Sequence, residues 1–255
     1  MSSATTCASS LERSPSSPAG NTKTVLRWPE SPTTKRTATF SSRASPLGDS
    51  RAVGFEVVSQ KPEPKVVLIA GPNGAGKSTL APALLRDTLR VSDFVNADVI
   101  AQGLSAFGAA DVGIAAGRIM LERLHELAER RVDFAFESTL ESRSFAPWLE
   151  GIVEAGYRFD LVFVWLPTAE MAIARVQART RVGGHHVPPD VIRRRWERGL
   201  RNFFTLYAPL AQTWRFYDNS SVKRRLLASG GQARRERVHD ANAWSDIKAR
   251  YAAEG

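Results

Sequence analysis

The stretch Gly71–Leu80, GPNGAGKSTL, decides the fold. It follows VVLIA (Val66–Ala70), an apolar run with no alternation, the pattern of a central parallel strand covered on both faces. It opens a segment of helical character reaching from Lys77 to about Arg90. Gly71, then Gly76-Lys77-Ser78, placed between a strand and a helix, form a phosphate-binding loop. Glycines at 71, 74 and 76 let the backbone turn tightly, so that residues Gly71, Pro72, Asn73, Gly74, Ala75, Gly76, Lys77, Ser78 and Thr79 wrap an anion. Lys77 is expected to reach the β- and γ-phosphates of ATP, and Ser78 to place its hydroxyl on Mg²⁺.

Outward from the loop, short apolar runs alternate with amphipathic helices, which predicts an α/β domain over residues 61–255. DFVNAD (93–98) reads as a second strand, VDFAFE (132–137) as a third, FDLVFVWL (159–166) as a fourth and WRFYDNS (214–220) as a fifth. RRLLASGG (224–231) reads as an edge strand and turn. A long helix over 113–131 carries Ile114, Ile119, Leu121, Leu124 and Leu127 on its expected core face. Parallel strands joined by helices cross over right-handed, so the expectation is a doubly wound, mostly parallel sheet with its ligand edge at the strands' C-terminal ends.

Two carboxylates are expected at that edge. The second strand ends in Asp98 and the third in Glu137, the latter followed by Ser138 and Thr139. Moving a phosphoryl group to an alcohol requires an acceptor for the hydroxyl proton, and Asp98 is the candidate. The competing reading of Asp98 is a cap on the helix that follows. Glu137 and Thr139 are candidates to hold substrate hydroxyls, or to meet the hydration shell of the magnesium ion.

Between Arg175 and Arg201 eight arginines stand against two acids. Arg175 and Arg179, four apart, share one helical face. VGGHHVPP (182–189) breaks the helix, and a new one starts near Asp190 with Ile192, Trp196, Leu200 and Phe203 on its core face. That section reads as a helical lid, with Arg175, Arg179 and Arg195 neutralising phosphate charge as it closes. Nucleic acid is not the expected partner, since the aromatic residues follow the core period rather than the basic face. His185 and His186 are adjacent and read as exposed lid residues rather than zinc ligands.

LASGGQARR (227–235) looks like the signature of ABC transporter ATPases, but no apolar strand tipped by Asp-Glu follows it, so that class is set aside. LIAGPNGAGKST, FVNADVIA, FAFESTL, GGHHVP and YDNS together resemble the zeta-toxin-like kinases, over about Val66 to Ser220, and closest to their stand-alone, ABC-like branch. The resemblance implies a P-loop kinase that phosphorylates a hydroxyl of UDP-N-acetylglucosamine with ATP as donor. It implies Lys77 as the phosphate lysine, Asp98 as the general base and Glu137 as the sugar-contacting carboxylate. It also brings a protein antitoxin into view as a partner. The alternatives are an ATPase coupled to conformational change, which would need a water-orienting residue, and a nucleotide-binding module without transfer activity.

The composition sets outer bounds. A net charge of +9 and a pI near 10.2 favour anionic partners. Cys7 is the one cysteine, which fits a reducing, cytoplasmic location. No run approaches the roughly 20 apolar residues that span a bilayer. Residues 1–60, dense in Ser, Thr and Pro, are expected to be a disordered tail.

Overall fold

The run VVLIA forms β1 (Lys65–Ala70), which lies near the middle of a seven-stranded sheet. The structure is a computed structural model that describes residues 63–104 and 112–252; the expected tail, residues 1–60, lies outside the described residues. The remaining strands are β2 (Asp93–Val95), β3 (Phe134–Ser138), β4 (Arg158–Trp165), β5 (Thr213–Asp218), β6 (Arg225–Gly231) and β7 (Arg234–Val238). Their spatial order is β2-β3-β1-β4-β5-β6-β7. The first five are parallel and the last two antiparallel. From β1 the chain builds first to one side and then, from β4 on, to the other. The crevice outside the end of β1 is therefore the topological switch point where ligands bind in such sheets.

Helices cover both faces. They are α1 (Lys77–Ala83), α2 (Ala97–Leu104), α3 (Val112–Glu129), α4 (Phe145–Glu154), α5 (Ala169–Arg181), α6 (Pro189–Asn202), α7 (Ala208–Leu210) and α8 (Ala241–Tyr251). Alternation along β1 explains the layering: Val66 and Leu68 pack with Leu124 and Leu127 of α3, Leu149 of α4 and Trp244 of α8. Val67 and Ile69 pack with Leu80 of α1 and Ile173 and Val176 of α5. All four of these β1 side chains are fully buried, each worth about 1.5–3 kcal/mol against exposure. Pro82 lacks a backbone donor inside α1, and the chain continues from Leu84 to Leu89 as a π-helical segment.

Three expectations need correction. The second strand stops at Val95, because Asn96 caps α2: its Oδ1 accepts from the Asp98 N–H at 2.8 Å and the Val99 N–H at 3.4 Å. Asp98 therefore stands in the first turn of α2, not at a strand end. The core face of α3 is Ala116, Met120, Leu124 and Leu127, while Ile114 and Ile119 are 62% and 40% exposed. A five-residue step rotates a side chain well off its face, which is why that pair cannot share a core stripe with Leu124. Finally, β6 is not the edge. The exposed strand β7 pairs outside it, and Ser229 to Gly231 lie within β6, the hairpin turning at Gln232 and Ala233. No helix among the described residues is long and apolar enough to cross a membrane.

Candidate phosphate site

The loop after β1 leads into α1 through Gly76, whose φ of 86° starts the helix at Lys77. Lys77 is only 5% exposed. Its Nζ donates to the Pro72 carbonyl at 3.1 Å and stands 3.4 Å from Glu137 Oε1. Burial lowers the Lys77 pKa, opposed by the charges of Glu137 and Asp98, while the Arg179 charge adds to the lowering.

Glu137 occupies the penultimate position of β3, directly beside Ile69 of β1, and this register carries its carboxylate to the loop. Oε2 accepts from Ser78 Oγ at 2.8 Å and from Asn96 Nδ2 at 2.8 Å. One carboxylate thus gathers Lys77, the loop serine and the cap of α2. Asn96 is only 6% exposed and does two jobs at once, cap and carboxylate partner. Its position just ahead of α2 was the signal available in the sequence.

Asp98 is exposed, and because Asn96 supplies the cap, its carboxylate is not used to close the helix. Its charge is felt at Lys77. Thr139 follows β3 and is half-buried, close against Gly199 of α6 through its carbonyl.

Two of the arginines reach the loop region from α5 and α6. Arg175 of α5 lies against Gly74 and donates from Nη2 to the Ser220 carbonyl at 3.2 Å. Arg195 of α6 donates from Nη1 to Asn73 Oδ1 at 3.2 Å. Arg179 instead donates to the His185 carbonyl at 3.4 Å, in the loop between α5 and α6. Asn219, just past β5, donates from Nδ2 to the Ala75 carbonyl at 2.7 Å, so the YDNS segment braces the loop. Asp218 supports that segment by accepting from the Ser220 N–H at 2.8 Å and from Arg225 at 2.7 Å. Glu141, which holds three arginines of α6, carried no signal in the sequence.

The oxygen donors suit magnesium. Ser78 Oγ and Glu137 Oε2 adjoin, and Mg²⁺ commonly takes one or two protein oxygens while keeping waters and substrate phosphates. Among the described residues there is no group of three or more His, Cys, Asp or Glu side chains arranged to cage a metal.

A family model described as an AAA domain matches residues 66–206, more than half of the chain. The chain belongs to the AAA domain family. This AAA domain is similar to an uncharacterized protein of Haemophilus influenzae, 28% identical over 132 residues, covering 52% of this chain and 92% of that protein. Among solved structures it is similar to the AvrRxo1-ORF1:ORF2 complex with ATP, at a TM-score of 0.58 and 17% identity, covering 72% of this chain. It spans only 63% of that matched chain. It also aligns with the PezAT toxin–antitoxin system of Streptococcus pneumoniae, at a TM-score of 0.49 and 16% identity, covering 79% of this chain and 83% of that one. Its fold is P-loop kinase-like, a mostly parallel sheet with the glycine-rich loop at the switch point.

Proposed function

We propose that this AAA domain is an ATP- and Mg²⁺-dependent phosphotransferase acting on a hydroxyl of a small acceptor. The observation that carries the reading is the Glu137 carboxylate, tied at once to Lys77, Ser78 and Asn96. That knot assembles the phosphate lysine and the magnesium oxygens beside an exposed carboxylate, Asp98, whose charge reaches the same lysine. ATP as the donor draws on the AvrRxo1-ORF1:ORF2 structure, which contains it. Bound magnesium would supply neutralisation of phosphate charge, held by Ser78 and Glu137.

The transfer runs as follows. The loop and Lys77 hold the β- and γ-phosphates, and Arg175, against Gly74, and Arg195, bonded to Asn73, offset charge on the moving group. Asp98 accepts the acceptor's hydroxyl proton as the oxygen attacks the γ-phosphorus; the bond from that phosphorus to the bridging oxygen breaks, and ADP leaves. Arg179 joins as the loop between α5 and α6 closes. Thr139, at the mouth of β3, lines the acceptor side.

By the sequence resemblance the acceptor is UDP-N-acetylglucosamine, the setting cytoplasmic, and a protein antitoxin the partner. The AvrRxo1-ORF1:ORF2 complex pairs two proteins, which supports that last reading.

Asp98→Asn tests the chemistry. With UDP-N-acetylglucosamine as acceptor, the variant is expected to lose transfer by roughly 10²-fold or more while ATP affinity stays near that of the parent. Transfer at the parental rate would remove Asp98 from the mechanism.

A further inference from the structure

Three arginines of α6 end on one carboxylate. Arg194 Nε lies 2.6 Å from Glu141 Oε1, Arg195 Nε 3.1 Å from Oε2, and Arg198 Nη1 3.6 Å from Oε1. This is not an ordinary surface pair of negligible worth, because the Glu141 side chain is only 19% exposed. Burial works against its charge, yet the hydrogen bonds and charges of Arg194 and Arg195 hold its pKa below the usual carboxylate range.

The segment bearing Glu141 is locked to α6 independently of these charges. Asn202, 9% exposed, donates from Nδ2 to the Leu140 carbonyl at 2.7 Å and to the Glu141 carbonyl at 3.1 Å. Gly199 lets α6 close onto the Thr139 carbonyl, which a Cβ there would overlap. The carboxylate is thus a fixed point rather than a mobile counter-charge. From it the contacts run in one direction: Arg195 takes Glu141 with its Nε and Asn73 of the phosphate loop with its Nη1 at 3.2 Å. Of the three arginines it is the least exposed, at 32%, and the one that reaches the loop.

We propose that Glu141 is a positioning residue, which sets the Arg195 guanidinium against the phosphate loop so that it meets the transferring phosphoryl group. The inference rests on the phosphotransfer reading and names a residue that acts through Arg195, without touching substrate. Without the negative charge, three guanidiniums would stand within a few ångströms of one another around a neutral group, and Arg195 would lose one of the two anchors that fix it.

The test compares ADP with ADP plus aluminium fluoride, a mimic of the transferring phosphoryl, on the full chain with magnesium. Glu141→Gln is expected to weaken aluminium-fluoride-dependent binding by ~10-fold or more while ADP alone changes by less than about twofold, since only the phosphoryl mimic needs Arg195 in place. Glu141→Asp should recover part of the loss. Arg195→Ala should reproduce the loss, and the double variant should be no worse than Arg195→Ala. Additive losses, equal losses for ADP and for the mimic, or unchanged or tighter binding of the mimic would each overturn the proposal. If the parent protein itself gains nothing from aluminium fluoride, the phosphotransfer reading fails first, and that outcome is visible before any variant is compared.

Discussion

Lys77→Ala is expected to lower phosphotransfer by roughly 10³-fold or more and to weaken ATP binding with it, because in the proposed reaction the residue holds the phosphates in ground and transition states alike. The structure adds a second consequence. The Lys77 Nζ sits 3.4 Å from Glu137, both side chains are less than a tenth exposed, and among the described residues no other salt bridge to that carboxylate is seen. Removing it strands a buried anion, which in such sites costs about 3–5 kcal/mol. Single-turnover rates and nucleotide titration read the first effect, and chemical denaturation reads the second. Near-parental turnover would mean that the loop does not carry the reactive phosphate.

Gly71→Ala should act on folding first. Gly71 leaves β1 at φ 138°, a conformation open to glycine and strained for any L side chain, and a Cβ there would overlap the Val164 carbonyl oxygen of β4. Neither neighbour can give way cheaply, since β1 and β4 are paired along six positions from Lys65 to Ala70. Backbone strain and a forced separation of two central strands together predict a loss of about 3–5 kcal/mol. A urea or thermal unfolding curve measures it. A shift of under about 1 kcal/mol would show that the strand ends are more pliable than their geometry implies. The same residue explains why the phosphate loop can start so close to the sheet.

The parts of the fold that were legible in the sequence are those in which one local signal sufficed. β1 and the loop announce themselves through an unbroken apolar run and glycine spacing, and the helix starting near Asp190 through Ile192, Leu200 and Phe203, all of which are buried. β7, Arg-Arg-Glu-Arg-Val, is an edge strand exposed throughout, so it has no apolar period to read and charge protects its free edge. The displacement of Asp98 from strand to helix turns on one residue, Asn96, whose capping bond ends the strand early. Ile114 and Ile119 misled through their type: apolar residues stayed outside, while Ala116 and Met120 faced the core.

The residues of the candidate site could be named from the sequence, but not the contacts between them. Lys77, Ser78, Glu137 and Arg195 could all be named from the chain. That Glu137 joins the loop directly follows only from β3 lying beside β1, a pairing across dozens of residues. Glu141 meets Arg195 across 54 positions, and no local pattern marks a carboxylate for that role.

The central claim is that a phosphoryl group passes from ATP, held at Lys77, to an alcohol whose proton goes to Asp98. It is tested most directly by incubating the full chain with γ-labelled ATP, magnesium and a panel of nucleotide sugars and simple sugars, then following the label. Label is expected covalently attached to one acceptor, dependent on magnesium and lost in Lys77→Ala. Label released only as inorganic phosphate, whatever acceptor is present, would contradict it.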